Sequence, residues 1–338
     1  MYIAEAIGLD KLDILSQRCI GHINDSIQII KENKGLDIDI HQIEQFKQDK
    51  KLNSMLKTGN TIGCFYIESS AMRALIQKIG CEDYITLVAA SSIIRPGVAK
   101  SGMMRAYIER YHSPDNIPYP HPIFKEHLSE TYGIMVYQED VIKICHHFAG
   151  FTLEDADVIR RAMSGKYRSK AAFQNIVEQY FANCKARGYS EALTNDIWNQ
   201  ISSFASYSFA KGHSASYAVE SYQSLFLKTY YPLEFMVGVI NNFGGFYSTA
   251  TYVHEAKRLG ANVKLPCINE SQYLTRITGV DIYLGFIHIE RLEYKLAKAI
   301  IRERYINGPY HSLDYFMQRI HIGIEQVVLL IRIGAFSF

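Results

Sequence analysis

The chain has 338 residues, 48% of them hydrophobic and 21% charged, which suits two or three domains of ordinary size and excludes a disordered chain. With 36 Lys+Arg against 34 Asp+Glu, the formal net charge is +2; a global basic field is absent, and any nucleic-acid contact must come from local clusters. No apolar run approaches the roughly 18–20 residues of a membrane helix, the best candidates being Phe235–Ile240 and Val327–Ile331, and Met1-Tyr-Ile-Ala-Glu-Ala lacks a signal-peptide layout. A soluble, cytoplasmic protein with no membrane partner is expected. The six cysteines (Cys19, Cys64, Cys81, Cys145, Cys184, Cys267) show no C-x-x-C spacing and read as reduced, packed thiols.

Helical periodicity dominates. Residues 10–32 carry Leu12, Leu15, Cys19, Ile20, Ile23, Ile27 and Ile30 at three-and-four spacing, and Gly35 stands where a helix C-cap belongs. A polar linker with short helices runs to about Asn60. Helices follow at Ser70–Ile79 and Tyr84–Ser92; Pro96-Gly97 breaks the chain, and the four prolines of Ser113–Pro122 predict an extended connector. Further helices are predicted at Glu139–Ala149, Leu153–Met163, Ala171–Arg187, Ala192–Phe204, Ala215–Tyr230 and Leu233–Asn241, with Pro232 separating the last two. Only Ile134–Tyr137 and Asp281–Phe286 read as strands. The fold class is mainly α with a few short strands, with a boundary near Asn262–Asn269.

Two segments concentrate chemistry. Arg160-Arg161-Ala-Met-Ser-Gly-Lys166-Tyr-Arg168-Ser-Lys170 holds five basic residues and no acid. Upstream, Thr152-Leu-Glu-Asp155 has the form of a capping box, which places Arg160 and Arg161 in the last turns of a helix. Two guanidinium forks leaving one turn about 100° apart can grip different oxygens of a triphosphate or neighbouring backbone phosphates; the same pair equally suits complementing the helix dipole beside a solvated loop. The second segment, Phe204-Ala-Ser-Tyr207-Ser-Phe209-Ala-Lys211-Gly-His213-Ser-Ala-Ser-Tyr217, offers rings to stack on a base, a cation for phosphate and small residues for close approach. An aromatic corner with a satisfied histidine is the structural alternative.

Other features carry no function. Asp37-Ile-Asp39 lies on a polar linker, and the rings of Cys145-His146-His147 diverge round a helix. The Gly238…Gly244-Gly245 stretch lacks the ending of a P-loop. Gly212-His-Ser214-Ala-Ser216 is not a nucleophile elbow, since Ser216 replaces the last glycine.

Taken in order, several blocks resemble the bacterial DNA polymerase III alpha subunit, the C-family DNA polymerases. They are Thr61-Ile-Gly-Cys-Phe-Tyr-Ile-Glu-Ser-Ser-Ala-Met-Arg73, Ile94-Arg-Pro-Gly97 with Ser101-Gly-Met103, Tyr119-Pro-His-Pro122 and Glu130-Thr-Tyr-Gly-Ile-Met-Val-Tyr-Gln-Glu139. They continue through Ala156–Met163, Phe204–Tyr217, Ser221–Lys228 and Tyr231–Met236. The resemblance implies the end of a palm (residues 1–20), linker helices (21–60), a fingers domain (61–265) and a helix-hairpin-helix DNA-binding region (266–338). It implies template-directed nucleotidyl transfer from dNTPs to a primer 3′-hydroxyl, with two Mg²⁺ ions in the complete site. By the same resemblance Asp13 is the catalytic aspartate and a Mg²⁺ ligand, and Lys11 a phosphate contact. Arg160 and Arg161 hold the triphosphate, and Tyr207, Phe209, Lys211 and His213 line the nucleotide pocket. Lys166, Arg168 and Lys170, with the hairpin residues Gly323 and Gly334, are expected on DNA. Primer-template DNA, a dNTP and an upstream palm-containing chain are the implied partners, and a nucleoid-associated cytoplasmic location follows.

The chain departs from the family in places. The early palm motif with its paired aspartates is not in the sequence, so the chain reads as a fragment, a split-gene piece or a truncated paralogue. The pocket motif reads Ala205-Ser-Tyr-Ser-Phe-Ala-Lys-Gly-His213, with serines at two family glycines. In Leu284-Gly-Phe-Ile-His-Ile-Glu290 a glycine-rich hairpin retains only Gly285, whereas Ile322-Gly-Ile-Glu…Ile333-Gly-Ala335 is better preserved. Two functions stay open on these residues: part of a working polymerase, or a catalytically incompetent DNA-binding remnant.

Overall fold

The computed structural model describes residues 18–94, 102–163, 170–203 and 210–336 and is mainly α, as the periodicity predicts. It divides into two compact units, one combining residues up to Ile38 with those from Tyr231 onward, the other running from Asp39 to Tyr230. Helix α1 (Arg18–Lys34) opens the first unit and buries Cys19, Ile23 and Ile30 of the expected stripe, together with His22 and Ser26. Ile20 is instead 48% exposed. Gly35 takes φ 69° and donates its N–H to Lys31 O, the predicted C-cap.

The second unit contains α2 (Ile43–Gln48), α3 (Lys50–Lys57), α4 (Ser70–Ile79), α5 (Tyr84–Ile93), α6 (Met103–His112) and α7 (Pro122–His127). It continues with α8 (Gln138–His147), α9 (Leu153–Met163), α10 (Lys170–Ala186), α11 (Glu191–Ser203) and α12 (Lys211–Tyr230). Local signals start many of these helices: the side chains of Asp49, Ser69 and Asp83 cap α3, α4 and α5 through backbone N–H groups. The long helix α12 packs against α2, α3 and α5. Its inner face is rich in small residues (Ser214, Ala218, Ser221, Ser224), which lets neighbouring backbone approach closely. Ser92 and Ser214 hydroxyls meet at 2.7 Å, and Phe46 stacks on Phe226 with ring centres 4.3 Å apart.

Two expectations in this unit are corrected. Ile134–Tyr137 is buried and extended but joins no ladder. Its polar groups are taken locally: Thr131 Oγ1 donates to Ile134 O, while the Val136 and Tyr137 N–H groups both donate to the Asp140 carboxylate at 2.9 Å. Helix α12 begins at Lys211 rather than Ala215, because the Lys211 N–H is capped at 3.1 Å by both carboxylate oxygens of Glu139, far away in sequence. In the proline-rich connector, Pro114–Asn116 forms one 3₁₀ turn, and Pro122 opens α7 behind His121.

The first unit resumes with α13 (Pro232–Asn241) and α14 (Thr249–Arg258). Helix α13 packs against α1, closely at Gly238, where an added Cβ would collide with Ser26 Oγ and come within 2.9 Å of His22 O. A small sheet follows, β1 (Asn262–Lys264), β2 (Arg276–Thr278) and β3 (Asp281–Tyr283), in the order β1-β3-β2. Strand β3 pairs parallel with β1 and antiparallel with β2, so buried Ile282 faces Val263 on one side and Ile277 on the other. The strand predicted over Asp281–Phe286 stops at Tyr283, and Phe286–His288 is a 3₁₀ turn. Three asparagine amides then close segments of this unit as a strand neighbour would, each giving and accepting one backbone hydrogen bond: Asn33 with Gly279, Asn241 with Thr275 and Asn269 with Tyr310.

The chain ends in α15 (Tyr294–Asn307), α16 (Leu313–Arg319) and α17 (Ile324–Arg332) around a core of Phe286, Leu296, Ile300, Tyr310, Phe316 and Leu330. Arg319 locks α15 to α16: it donates to the Glu303 side chain and to the carbonyls of Glu303, Gly308 and Pro309, and lies over the Tyr310 and Tyr315 rings. All six cysteines are buried thiols. No helix among the described residues is long and apolar enough to cross a membrane.

Candidate functional site

Two of the predicted basic residues, Arg160 and Lys211, contact the first turn of α8. Thr152 Oγ1 caps α9 by accepting the Asp155 N–H and donates to the Asp155 carboxylate at 2.8 Å, so the cap forms with the carboxylate on the Thr152 hydroxyl, and the helix carries Arg160 and Arg161 in its last turn. Both guanidinium groups turn onto the carboxylate of Asp157, one turn back. Arg160 Nε donates to Oδ1 at 2.7 Å, and Arg161 Nε to Oδ2 at 2.6 Å. The forks thus take different oxygens of one anion, the geometry proposed for a phosphate. Hydrogen bonds from Arg160, ahead of those from Arg161, hold the Asp157 carboxyl below the usual carboxylate range against the opposing effect of desolvation. Arg160 also donates to Gln138 Oε1 at 3.0 Å, which ties α9 to the start of α8.

Lys211 reaches the same turn from α12. Its Nζ lies 2.6 and 2.7 Å from the Glu130 carboxylate oxygens and 5.6 Å from the centre of the Tyr137 ring. A cleft of about 280 Å³ opens here, lined among others by His127, Glu130, Tyr137, Glu139, Lys143 and Lys211. The Tyr137 hydroxyl is buried in its wall and has no hydrogen-bond partner among the described residues. A buried hydroxyl without a partner is costly, and a ligand oxygen would relieve it. Burial, reinforced by Glu130, Asp140 and Glu139, raises the Tyr137 phenol far above its ordinary range, so it is a donor throughout the physiological range.

His213 does not join this cluster. Two residues beyond Lys211 on a helix is about 200° round the axis; the ring is exposed and sits 4.2 Å from that of Tyr217. The sequence reading placed Lys211 and His213 in one pocket, and the structure puts them on different faces of α12. Lys11, Asp13, Lys166, Arg168, Tyr207 and Phe209 lie outside the described residues, as does the side chain of Lys170. Sequence reasoning missed the acidic partners Asp157, Glu130 and Glu139 and the orphaned Tyr137 hydroxyl. Their only signal was membership of the matched blocks.

In the C-terminal unit Gly323 stands exposed at the N-cap of α17, its carbonyl accepting the N–H groups of Gln326 and Val327. The first-turn amides of that helix point outward as helix starts do. Gly334 is just beyond the other end of α17, roughly 16 Å away by helical rise, where it takes φ 73° in a C-terminal cap. One phosphate cannot meet both. The earlier hairpin spends its amides internally: Gly285, Phe286 and Ile287 donate to Thr275 Oγ1, Gln272 O and Tyr273 O. Gln326 closes the same hairpin by bonding Arg291 O and the Glu293 N–H. Arg291 holds a left-handed backbone there at φ 67°, a conformation glycine adopts without strain.

A helical fingers-type domain followed by paired helical hairpins is the class this fold and these clusters define. The chain belongs to the bacterial DNA polymerase III alpha subunit family: residues 20–188 match its finger domain, and residues 260–338 match a helix-hairpin-helix motif. It is 35% identical over 338 residues to the DNA polymerase III subunit alpha of Staphylococcus aureus strains MRSA252 and COL, and 34% identical to that of Staphylococcus epidermidis. These alignments cover 99% of this chain and 31% of each relative.

Proposed function

We propose that this chain is the nucleotide- and DNA-handling fingers portion of a template-directed DNA polymerase. The observation that carries this reading is that two helices bring basic residues to the start of α8. Arg160 donates to Gln138 Oε1, and Lys211, whose backbone N–H is capped by Glu139, holds its Nζ 5.6 Å from the centre of the Tyr137 ring, in a cleft whose wall buries the Tyr137 hydroxyl. An incoming dNTP triphosphate, with several negative charges, displaces the single carboxylates of Asp157 and Glu130 and takes over their guanidinium and ammonium partners. Tyr137 then donates to a phosphate oxygen. The α17 amides at Gly323, with Lys166, Arg168 and Lys170, hold DNA backbone phosphates without reading sequence.

Two Mg²⁺ ions held about 3.5–4 Å apart require paired carboxylates to bind and bridge them. Among the described residues no three His, Cys, Asp or Glu side chains stand together as a metal site, and Asp13 lies outside them. The described residues do not fit the metal pair. In this reading the D-x-D aspartates come from a palm segment, in the same polypeptide or another, and a nucleoid-associated location follows from DNA binding.

The test is titration of the full chain with dATP and with inorganic tripolyphosphate at moderate salt. Arg160→Ala combined with Arg161→Ala is expected to weaken both by roughly tenfold or more, since each lost charge-assisted bond is worth about 1.5–3 kcal/mol. Unchanged affinity for both ligands overturns the assignment. Primer extension is expected only when a palm-bearing chain is supplied.

A further inference from the structure

Helix α15 buries Leu296, Ala297 and Ile300 on one side. At 100° per residue, the opposite side carries Tyr294, Lys298, Arg302 and Tyr305, flanked by Lys295. Lys295, Lys298 and Arg302 are exposed, Tyr294 is 56% exposed and Tyr305 91%. From Tyr294 to Arg302 the helix holds three cations and no acid. Its one carboxylate, Glu303, is turned to Asn307 and Arg319. Neighbouring arginines are engaged in the fold: Arg304 donates to the Ile268 and Ser271 carbonyls, and Arg319 locks α15 to α16. Lys295, Lys298 and Arg302, by contrast, make no ion pair with any described residue. One end of the row is braced. The Tyr273 and Tyr294 rings meet edge to face, centres 4.8 Å apart and planes at 90°, and Lys298 Nζ stands 5.3 and 5.6 Å from those centres. Tyr273 itself packs on the hydrophobic core, so this end is fixed before any partner arrives. Tyr305 stands at the far end, about 16 Å away by helical rise. Rings at both ends of a cationic row, rather than scattered singly, suit a surface that takes bases as well as phosphates.

We propose that this face of α15 is a track for single-stranded DNA. Lys295, Lys298 and Arg302 meet successive backbone phosphates, and Tyr294 and Tyr305 stack on unpaired bases at the two ends. The proposal rests on the reading that the chain handles DNA, and it adds a contact apart from the Gly323 amides, which meet backbone alone. A row of about 16 Å matches roughly five nucleotides at the 3.4 Å step of one strand. A duplex keeps its base faces inside the stack, so it would engage the cations and leave the tyrosines idle. The rings therefore favour a single strand, and because every base offers a π-face the track is tolerant of sequence.

The experiment measures binding of the full chain, over a range of salt, to an oligo-dT strand, an abasic strand of the same length, a duplex hairpin and poly-glutamate. Replacing Lys295, Lys298 and Arg302 together by Gln is expected to make the log–log salt slope on oligo-dT shallower by about 2, at about 0.7 per single-strand phosphate. Tyr305→Ser, at a position too exposed to matter for folding, is expected to weaken oligo-dT roughly five- to a hundred-fold and to leave the abasic strand unchanged. Tyr305→Trp keeps a ring and is expected to bind like the native chain. A salt slope indifferent to the triple replacement overturns the proposal, as does an abasic strand bound as tightly as oligo-dT. A duplex that binds more tightly than the strand and is lost with the same three cations overturns it in favour of a duplex face. Poly-glutamate that matches oligo-dT and is lost with them overturns it in favour of an acidic protein. Failure of the nucleotide reading shows separately, as tripolyphosphate binding indifferent to Arg160→Ala with Arg161→Ala.

Discussion

His22 makes the stability of the α1–α13 pair depend on pH in a calculable way. The residue is buried, and neither ring nitrogen makes a full hydrogen bond. Burial lowers its pKa from 6.5 to about 4; the Gly244 backbone offsets this only in part, and Arg18 adds to the lowering. A histidine that resists protonation when folded is protonated first in the unfolded chain. Above pH 6.5 both states are neutral and nothing is lost. As pH falls below 6.5 the unfolded state gains a proton that the folded state refuses, and stability drops until the folded ring itself titrates near 4. At about 1.36 kcal/mol per pH unit, acidifying to pH 5 costs about 2 kcal/mol and the full loss is about 3 kcal/mol. Replacement by leucine, of similar volume, removes the titration. Urea unfolding of both chains at pH 7.5 and pH 5 is the assay: the gap between His22→Leu and the native chain should shift by about 2 kcal/mol in favour of leucine at the lower pH. Parallel pH profiles for the two chains would refute the reasoning.

Gly238→Ala should destabilise the same helix pair by about 1–3 kcal/mol, because overpacking against Ser26 and the His22 carbonyl outweighs the roughly 1 kcal/mol of helix propensity alanine brings; a higher urea midpoint for the variant would contradict this. Arg319→Lys should lower the stability of the C-terminal helices by about 2 kcal/mol, since an ammonium cannot reproduce the fork that spans α15, Pro309 and Gly308, measured by thermal or urea melting. Glu130→Gln should strengthen tripolyphosphate binding several-fold by freeing Lys211 from its competing carboxylate; weaker binding would show that Glu130 positions the lysine rather than competing for it. DNA binding should fall with salt at a log–log slope of about −0.9 per duplex phosphate neutralised, and removing Lys166 and Arg168 should make that slope shallower.

Short-range signals were legible in the sequence, and long-range ones were not. Gly35 ends its helix where expected, and Thr152 caps the next basic helix through the Asp155 N–H, because both act within one turn of chain. The start of α12 was misplaced by four residues because its cap, Glu139, arrives from another helix. Ile134–Tyr137 has the residue types of a strand, and only the Asp140 carboxylate, which takes two of its amides, shows why it needs no partner strand. At the candidate site, Arg160, Arg161 and Lys211 could be picked out by type and family position. What could not be read was that each is matched to an acid, or that His213 departs from the other side of the helix. Pairing and facing are properties of packed elements rather than of spacing along the chain.

The unit that contains α1 is discontinuous in sequence, and this governs the order in which it can form. Synthesis proceeds from the N-terminus, so α1 emerges well before α13, β2 or the Gly279 turn that its side chains grip. Cys19, His22, Ile23 and Ile30 must therefore stay uncovered while the whole Asp39–Tyr230 unit is made. Those intervening residues can complete their own core in the meantime, as nascent domains do. Closing so long a loop while it is still a random coil costs loop-closure entropy. A lesion that slows folding of the Asp39–Tyr230 unit would therefore prolong the exposure of the α1 stripe to aggregation and proteolysis.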